Sequence, residues 1–293
     1  TLSEHVSNVA RRRLIATDRQ SAEGVRRAPP SLCLCMIVKD EAERIGRCLE
    51  SCRELIDYWV ICDTGSTDGT QTLIREALSQ VPGELHQHEW VDFARNRSRL
   101  LTLARGKADY LLLMDADWTL DAREGAFDRL RADAYMVVHA GASEFTNKRL
   151  VRGDLEWRYV GATHEYITSE AERTCERLAG VAIRVHSVGG ARTGRWLHDI
   201  EVLEGLLERE PDDPRATFYL AQTLRDLGHE REDEAMLARA RDTYLRRAEL
   251  AGWVEERYCA WHQGGLLAEE LGDWPLAADA YMAAWEVRPA RLE

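Results

Sequence analysis

The sequence predicts an α/β fold built on a parallel sheet, followed by a region made only of helices. Two observations support the first part. Short apolar runs alternate with amphipathic helical stretches between residues 31 and 117, and polar, turn-forming residues follow the apolar runs. Such alternation produces right-handed crossovers and a parallel sheet. A third observation supports the second part, because the apolar spacing is helical throughout from Asp199 onward.

Each element of the first region is predicted from its own pattern. Residues 31–38 (SLCLCMIV) form a continuous apolar run, which is typical of a strand buried on both faces. The next predicted strands are 59–62 (WVIC), 85–90, 110–114 (YLLLM) and 181–185. The predicted helices are 41–55, 70–78 and 93–104, and the first of them has its apolar residues on one face.

The helical region has the spacing of tetratricopeptide repeats. Residues 257–289 match one repeat, with the turn between its helices at Leu271-Gly272-Asp273. Residues 218–252 resemble a looser copy, whose turn at Leu227-Gly228 is lengthened by charged residues up to Glu234. Because one repeat cannot bury its own apolar face, these helices are expected to stack on the α/β domain or on a partner. The predicted division is a weakly ordered arm at 1–30, an α/β domain at 31–195 and a helical domain at 196–293.

Composition excludes some classes of function. The net charge is −12, from 39 basic and 51 acidic residues. A general affinity for nucleic acid is therefore not expected, since it needs basic residues to neutralise phosphates. No apolar run is long enough to span a bilayer and no signal peptide is predicted. The seven cysteines lack the spacing of a zinc site. We expect them to be reduced in a cytoplasmic protein.

An acidic pair follows a strongly apolar predicted strand. Asp115 and Asp117 are separated only by the small residue Ala116. Two carboxylates at this spacing can both reach one hard cation. Such an ion would bridge the diphosphate of a sugar nucleotide and offset the charge that grows on the leaving diphosphate. Acidic pairs at strand ends are also common in proteins that bind no metal there. The metal-site interpretation therefore depends on where Asp115 and Asp117 lie in the predicted sheet.

Further candidate ligand-binding residues follow the neighbouring predicted strands. Asp63 ends the second strand, where a carboxylate can accept hydrogen bonds from a base or a ribose. Its alternative role is a turn or a helix cap. Arg95, Asn96 and Arg97 begin the next helix, where guanidinium groups and backbone N–H donors can meet phosphate oxygens. The alternative interpretation is that these three residues form a solvated helix face that binds no ligand.

Together these segments resemble a family 2 glycosyltransferase of GT-A fold, in the subgroup that carries C-terminal tetratricopeptide repeats. The similarity covers about residues 31–293, and its motifs are specific in combination. They are Cys35–Glu41, Asp63–Thr70, Trp90–Ser98, Asp109–Asp117, Trp157–Tyr166, Phe218–Gln222 and Gly252–Glu256.

The resemblance implies a mixed GT-A sheet and transfer of a sugar, with inversion, from a nucleotide donor. Val38 and Glu41 would line the base pocket and Asp63 would contact the base. Asp115 would reach the ribose and a divalent metal, Mn²⁺ or Mg²⁺, and Asp117 would bind that metal directly.

On the acceptor side, inversion in one displacement needs a general base. Glu165 is the candidate, with His164 orienting it or the acceptor; the alternative is that the two form a surface pair. His186, at the end of a predicted strand, is the third candidate metal ligand, and His198 is a substitute for it. A lone histidine at a strand end is more often structural. Trp118 departs from the family pattern, in which a polar or acidic residue often follows the acidic pair.

Three functions are compatible with parts of this pattern. The first is a metal-dependent glycosyltransferase that uses a UDP-sugar and a peptide, secondary-metabolite or saccharide acceptor, with oligomerisation through the helical domain. The second is a degenerate transferase whose repeats bind a peptide or protein. Both members of the acidic pair, Asp63 and Glu165 are present, which favours the enzyme. Nucleotidyl transfer, the third, lacks a basic glycine-rich loop after the first strand.

Overall fold

The computed structural model describes residues 28–141, 144–161, 163–186 and 192–291. Within them, ten strands and eight helices follow one another along the chain. The strands are β1 (Leu32–Val38), β2 (Tyr58–Asp63), β3 (Gly83–Gln87), β4 (Tyr110–Leu113), β5 (Trp118–Ala122), β6 (Ala134–Ala140), β7 (Phe145–Arg152), β8 (Arg158–Val160), β9 (Tyr166–Thr168) and β10 (Cys175–Val185). The helices are α1 (Ile45–Cys52), α2 (Thr70–Ala77), α3 (Phe93–Ala104), α4 (Arg192–Leu207), α5 (Pro214–Arg231), α6 (Glu234–Glu249), α7 (Val254–Glu270) and α8 (Trp274–Val287).

In the described residues, eight strands form one mixed sheet in the order β3-β2-β1-β4-β7-β6-β10-β5. The half that contains β3, β2, β1 and β4 is parallel, as the crossover pattern predicts. In the other half β7 runs antiparallel to both of its neighbours, and β5 is antiparallel to β10. The predicted mixed sheet followed by a helical region is confirmed.

The central strand β1 explains why the parallel half forms. Its side chains alternate between two apolar cores, one containing Leu34 and Met36 and the other containing Cys33 and Cys35. A strand with a core on each face has to be apolar at almost every position. These two cysteines are free thiols that pack as small hydrophobes.

The first helix is shorter than the predicted stretch 41–55. It begins at Ile45, because the backbone before it bonds to the loop that follows β2. The N–H of Glu41 donates to Thr70 Oγ1 at 2.8 Å, and that of Ala42 donates to Asp68 Oδ2 at 2.9 Å. The N–H of Asp40 donates to Ser66 Oγ at 2.9 Å. These bonds join the loops after β1 and β2.

The helical region confirms one predicted turn and corrects another. Helices α7 and α8 flank the predicted turn at Leu271-Gly272-Asp273, and the Gly265 backbone lies so close to the Tyr281 ring that a Cβ atom there would clash. The predicted turn at Leu227-Gly228 is wrong, because both residues lie inside α5. Gly228 instead gives Leu237 room to pack, and the helix ends at Glu232, which adopts a φ of 53°.

The chain divides into two compact units. One comprises the sheet, up to Val160 and from Ile167 through His186, and the other comprises the described residues from 192 onward. The short segment Gly161–Tyr166 groups with the helices and not with the sheet. The predicted arm, apart from residues 28–30, and residues 187–191 at the predicted domain boundary lie outside the described residues. Of the described helices, none combines the length and apolar composition needed to cross a bilayer.

Candidate active site

The carboxyl ends of β1, β2 and β4 lie side by side, and the segments that follow them form what we call the carboxyl edge. Val38 is in register with Asp63, and the N–H of Thr64 donates to the Val38 carbonyl at 2.9 Å. The N–H of Met114 likewise donates to the Cys35 carbonyl. Ligands of open α/β sheets bind beyond this kind of edge. The sheet therefore brings the predicted donor-site segments together.

Asp63 has two different carboxylate oxygens. Its side chain is fully buried. Oδ1 accepts from the N–H groups of Gly65 and Ser66, both at 2.9 Å, and from Gln71 Nε2 at 3.2 Å. Oδ2 is buried and has no hydrogen-bond partner among the described residues. Oδ1 thus stabilises the turn after β2, as the turn interpretation predicts. Oδ2 remains available to a hydrogen-bond donor that the described residues do not supply.

The acidic pair follows β4 directly. Arg97 Nη2 donates to Asp115 Oδ1 at 2.8 Å, and the Arg97 side chain is only 10% exposed. Asp117 accepts the backbone N–H of His186 on its carbonyl at 2.9 Å. Burial raises the pKa of the Glu41 carboxyl; Arg44 opposes this shift, and the charges of Asp117 and Asp115 add to it. Three carboxyl groups from two loops therefore contribute to one negative region.

The three predicted phosphate-binding residues differ in their contacts. Arg97 is the one that reaches the acidic pair, and its guanidinium also lies over the Tyr159 ring, 5.6 Å from the centroid. Asn96 is buried and bonds the preceding loop, accepting from the Val91 N–H and donating to the Glu89 carbonyl. Arg95 is exposed at the start of α3. Phosphate binding by these residues stays a prediction.

The candidate third metal ligand lies next to the acidic pair in the fold. His186 follows β10, and its Nε2 is 2.8 Å from Thr119 Oγ1. In the described part of the chain, no group of three or more histidine, cysteine, aspartate or glutamate side chains is assembled to hold a metal ion. The role of His186 stays a prediction.

Trp118 packs in the core and does not stand at the surface. Its side chain is buried, and the Arg149 guanidinium lies over its ring, 4.4 Å from the centroid. The His139 ring meets it edge-on at 4.9 Å and stacks on Phe145 at 4.6 Å. His139 and Arg149 are not among the residues predicted from the sequence. The alternation along β6, with Tyr135 and Val137 on the same face, is the signal that could have placed His139 in this core.

His139 gives the fold a measurable pH dependence. Burial lowers the pKa of its ring to about 4, with a smaller effect of the Arg149 charge in the same direction. Since its pKa in the unfolded chain is about 6.5, the unfolded state takes up this proton first. The contribution of His139 to the free energy of unfolding should therefore be fully present above about pH 6.5. It should fall as the pH decreases towards 4, with a slope of up to about 1.4 kcal/mol per pH unit.

The measurement is urea unfolding between pH 4 and 7.5 for the wild type and His139→Leu. The free energy of unfolding should depend less steeply on pH in His139→Leu than in the wild type, whatever the absolute stability of the variant. His198→Leu is the control, because His198 is exposed on α4. An unchanged slope in His139→Leu would contradict the prediction.

His164 and Glu165 lie in the segment that groups with the helices. The His164 side chain is exposed, and Glu165 is partly buried. The sheet unit contains the acidic pair, Asp63 and His186, whereas the helical unit contains the candidate base. Ala162, in the same segment, lies outside the described residues.

Comparison with known proteins gives one family. The model of "Glycosyl transferase family 2" matches residues 33–190, just over half of the chain. A TPR repeat-containing protein of Synechococcus elongatus is 34% identical over 154 residues, which are 48% of this chain and 36% of that protein. The SPbeta prophage-derived glycosyltransferase SunS of Bacillus subtilis is 21% identical over 234 residues, which are 73% of this chain and 54% of SunS. The chain thus spans between about a third and a half of these curated relatives.

Among solved structures, that of S. aureus TarS 1-349 in complex with UDP-GlcNAc is similar with a TM-score of 0.49 and 11% identity. The match covers 90% of this chain and 94% of that one. The residues matched by the family model begin in β1 and end after β10, so the match covers the mixed sheet. The predicted family is confirmed: the chain belongs to glycosyl transferase family 2.

Proposed function

We propose that this protein is a metal-dependent, inverting glycosyltransferase with a UDP-sugar donor. The main support for this donor site is the Oδ2 atom of Asp63, which lies at the same edge of the sheet as the acidic pair. This oxygen is buried and has no hydrogen-bond partner among the described residues. A buried carboxylate oxygen without a donor is costly unless a ligand completes it. The N–H of a pyrimidine base is such a donor. Val38 and Glu41, at the end of β1, would line the pocket around that base.

The acidic pair fits a divalent cation. Asp115 and Asp117 offer hard oxygen ligands, and the repulsion that helps raise the pKa of Glu41 would be relieved by a positive ion there. Mg²⁺ and Mn²⁺ sites commonly take few protein carboxylates, because phosphate oxygens and water complete the shell. His186 would be a further ligand. The ion would supply charge stabilisation for the departing diphosphate.

Arg97 connects the acidic pair with the phosphates. Its guanidinium forms an ion pair with Asp115. Once a cation and a diphosphate bind, the same guanidinium would be free to bond phosphate oxygens, for which its planar set of donors is suited. Arg95 and the N-terminal N–H groups of α3 would add positive potential at this point.

At the acceptor, Glu165 would act as the general base. Its carboxylate would take the proton of the acceptor hydroxyl or amide while the acceptor atom bonds to the anomeric carbon and the bond from that carbon to the diphosphate oxygen breaks. His164 would orient the carboxylate or the acceptor. The acceptor class remains a peptide, a secondary metabolite or a saccharide.

The test is isothermal calorimetry with UDP, GDP and dTDP, each with and without Mn²⁺. We expect metal-dependent binding of UDP, and binding in Asp63→Asn weaker by about 10- to 100-fold, because a hydrogen bond to a charged group contributes about 1.5–3 kcal/mol. The amide keeps the oxygen that holds Gly65 and Ser66 but presents N–H groups to the base.

Asp109→Asn is the matched control, because Asp109 precedes β4 and bonds Ser31 at the opposite end of the strand. It should bind UDP like the wild type. Absence of binding by all three nucleotides in both conditions would reject the donor site and favour the degenerate transferase that binds peptides through its repeats.

A further inference from the structure

The segment Gly161–Tyr166, which contains the proposed base, is held by one helix of the helical unit. The Arg215 Nη2 atom, in the first turn of α5, donates to the His164 carbonyl at 2.6 Å. The His164 ring stacks on the Tyr219 ring with centroids 4.2 Å apart and planes 7° apart. These contacts fix the residue just before Glu165.

The residue just after Glu165 is held by the same helix. The Arg215 guanidinium lies 4.6 Å from the centroid of the Tyr166 ring and 4.7 Å from that of the Tyr219 ring. Arg215 Nη2 also donates to Tyr219 Oη at 3.3 Å, which ties the two helix residues together. The first turn of α5 is itself fixed, because Asp213 caps it by accepting the Ala216 N–H at 2.7 Å.

The backbone between these anchors is strained. His164 has a φ of 50°, in the left-handed region that side-chain-bearing residues rarely enter. Gly161 has a φ of 106°. Such conformations persist when surrounding contacts hold them, and they are concentrated at functional sites. Arg215 and Tyr219 make such contacts with His164 and Tyr166.

We propose that Arg215 and Tyr219 are positioning residues, which set the conformation of residues 163–166 and thereby aim the Glu165 carboxylate at the acceptor. The inference rests on the proposed function of Glu165 as the base. It assigns a catalytic purpose to the helical unit: α5 supplies the support for an acceptor-side loop. Misplacement of a catalytic group by about 1 Å can cost about 100-fold in rate.

The test uses donor hydrolysis, in which water replaces the unknown acceptor. Water attacks the anomeric carbon, its proton passes to the base and the nucleoside diphosphate leaves. The probes are UDP-glucose, UDP-galactose and UDP-N-acetylglucosamine with Mn²⁺, and release of UDP is measured. Tyr219→Leu and Arg215→Met should lower kcat by about 100-fold and leave the affinity for UDP unchanged. Tyr219→Phe keeps the ring and should stay within about threefold of the wild type.

Arg225→Met is the matched control, because Arg225 lies farther along α5 and bonds Asp226 and Gln263. A second measurement does not depend on activity. Hydrogen exchange of the amides in 163–166 should be faster in Tyr219→Leu than in the wild type and unchanged in Arg225→Met. The double variant Tyr219→Leu/Glu165→Gln should be no slower than Glu165→Gln alone, because both changes act through one carboxylate.

Two results would overturn the inference. One is unchanged exchange in Tyr219→Leu. The other is a fully additive loss in the double variant, which would show that Tyr219 acts independently of Glu165. A different result would contradict the proposed function of Glu165, namely UDP release by Glu165→Gln at the wild-type rate. In that case exchange alone decides whether α5 holds the segment.

Discussion

Replacing Asp117 with asparagine is expected to abolish the metal dependence of donor binding and to lower sugar transfer by about 10²- to 10⁴-fold. The physical reason is the loss of a charged oxygen ligand next to Asp115, where the cation has to offset the charge on the departing diphosphate. A loss of several kcal/mol in the transition state corresponds to this range, since about 1.4 kcal/mol equals a tenfold change in rate. The measurement is calorimetry with UDP across a Mn²⁺ titration, followed by UDP release from the same three UDP-sugars.

The matched control for this experiment is Asp121→Asn. Asp121 lies in β5, four residues after Asp117, and its exposed side chain pairs with Arg184. It should behave like the wild type in both measurements. Retention of Mn²⁺-dependent UDP binding by Asp117→Asn would show that the cation is held elsewhere, and the assignment of the acidic pair would be wrong.

Replacing Glu165 with glutamine should lower kcat by about 10²- to 10⁴-fold, the usual contribution of a general base. Glutamine is close to glutamate in shape but cannot accept the acceptor's proton. Because the proposed donor site lies at the carboxyl edge and does not include Glu165, calorimetric binding of UDP with Mn²⁺ should not change. A fall in kcat without a change in donor affinity identifies an interaction made only in the transition state.

Glu170→Gln is the control for the base, because Glu170 is exposed and pairs with Arg158. It should leave both kcat and UDP affinity unchanged. If Glu165→Gln bound UDP more weakly and lost activity at limiting donor but not at saturating donor, its role would be donor binding. If neither changed, the base would have to be sought among other residues.

Much of the parallel half of the sheet was predictable from the sequence. A strand with a core on each face has to be apolar at consecutive positions, so β1, β2 and β4 stand out as continuous runs. Parallel order then places their carboxyl ends together. For this reason the placement of Asp63 and the acidic pair at one edge of the sheet followed from the pattern alone.

Other elements were not predictable because their pattern is weak or misleading. Strand β7 carries five charged or polar residues among eight, since part of it faces solvent, and its antiparallel insertion between β4 and β6 has no local signature. Gly228 has the sequence appearance of a turn, yet it lies within α5. Glycine marks both turns and close packing, and only the approach of Leu237 distinguishes the two.

The sequence by itself determined the family, the α/β and helical regions, and the order of the polar segments along the chain. Only the tertiary structure decided which side chains meet: that Arg97 neutralises Asp115, that Trp118 is buried under Arg149, and that α5 holds the loop of Glu165. The reason is physical. Local patterns record what each segment needs to bury, whereas these contacts join residues 18 to 51 positions apart, or on different strands, and depend on how the segments pack.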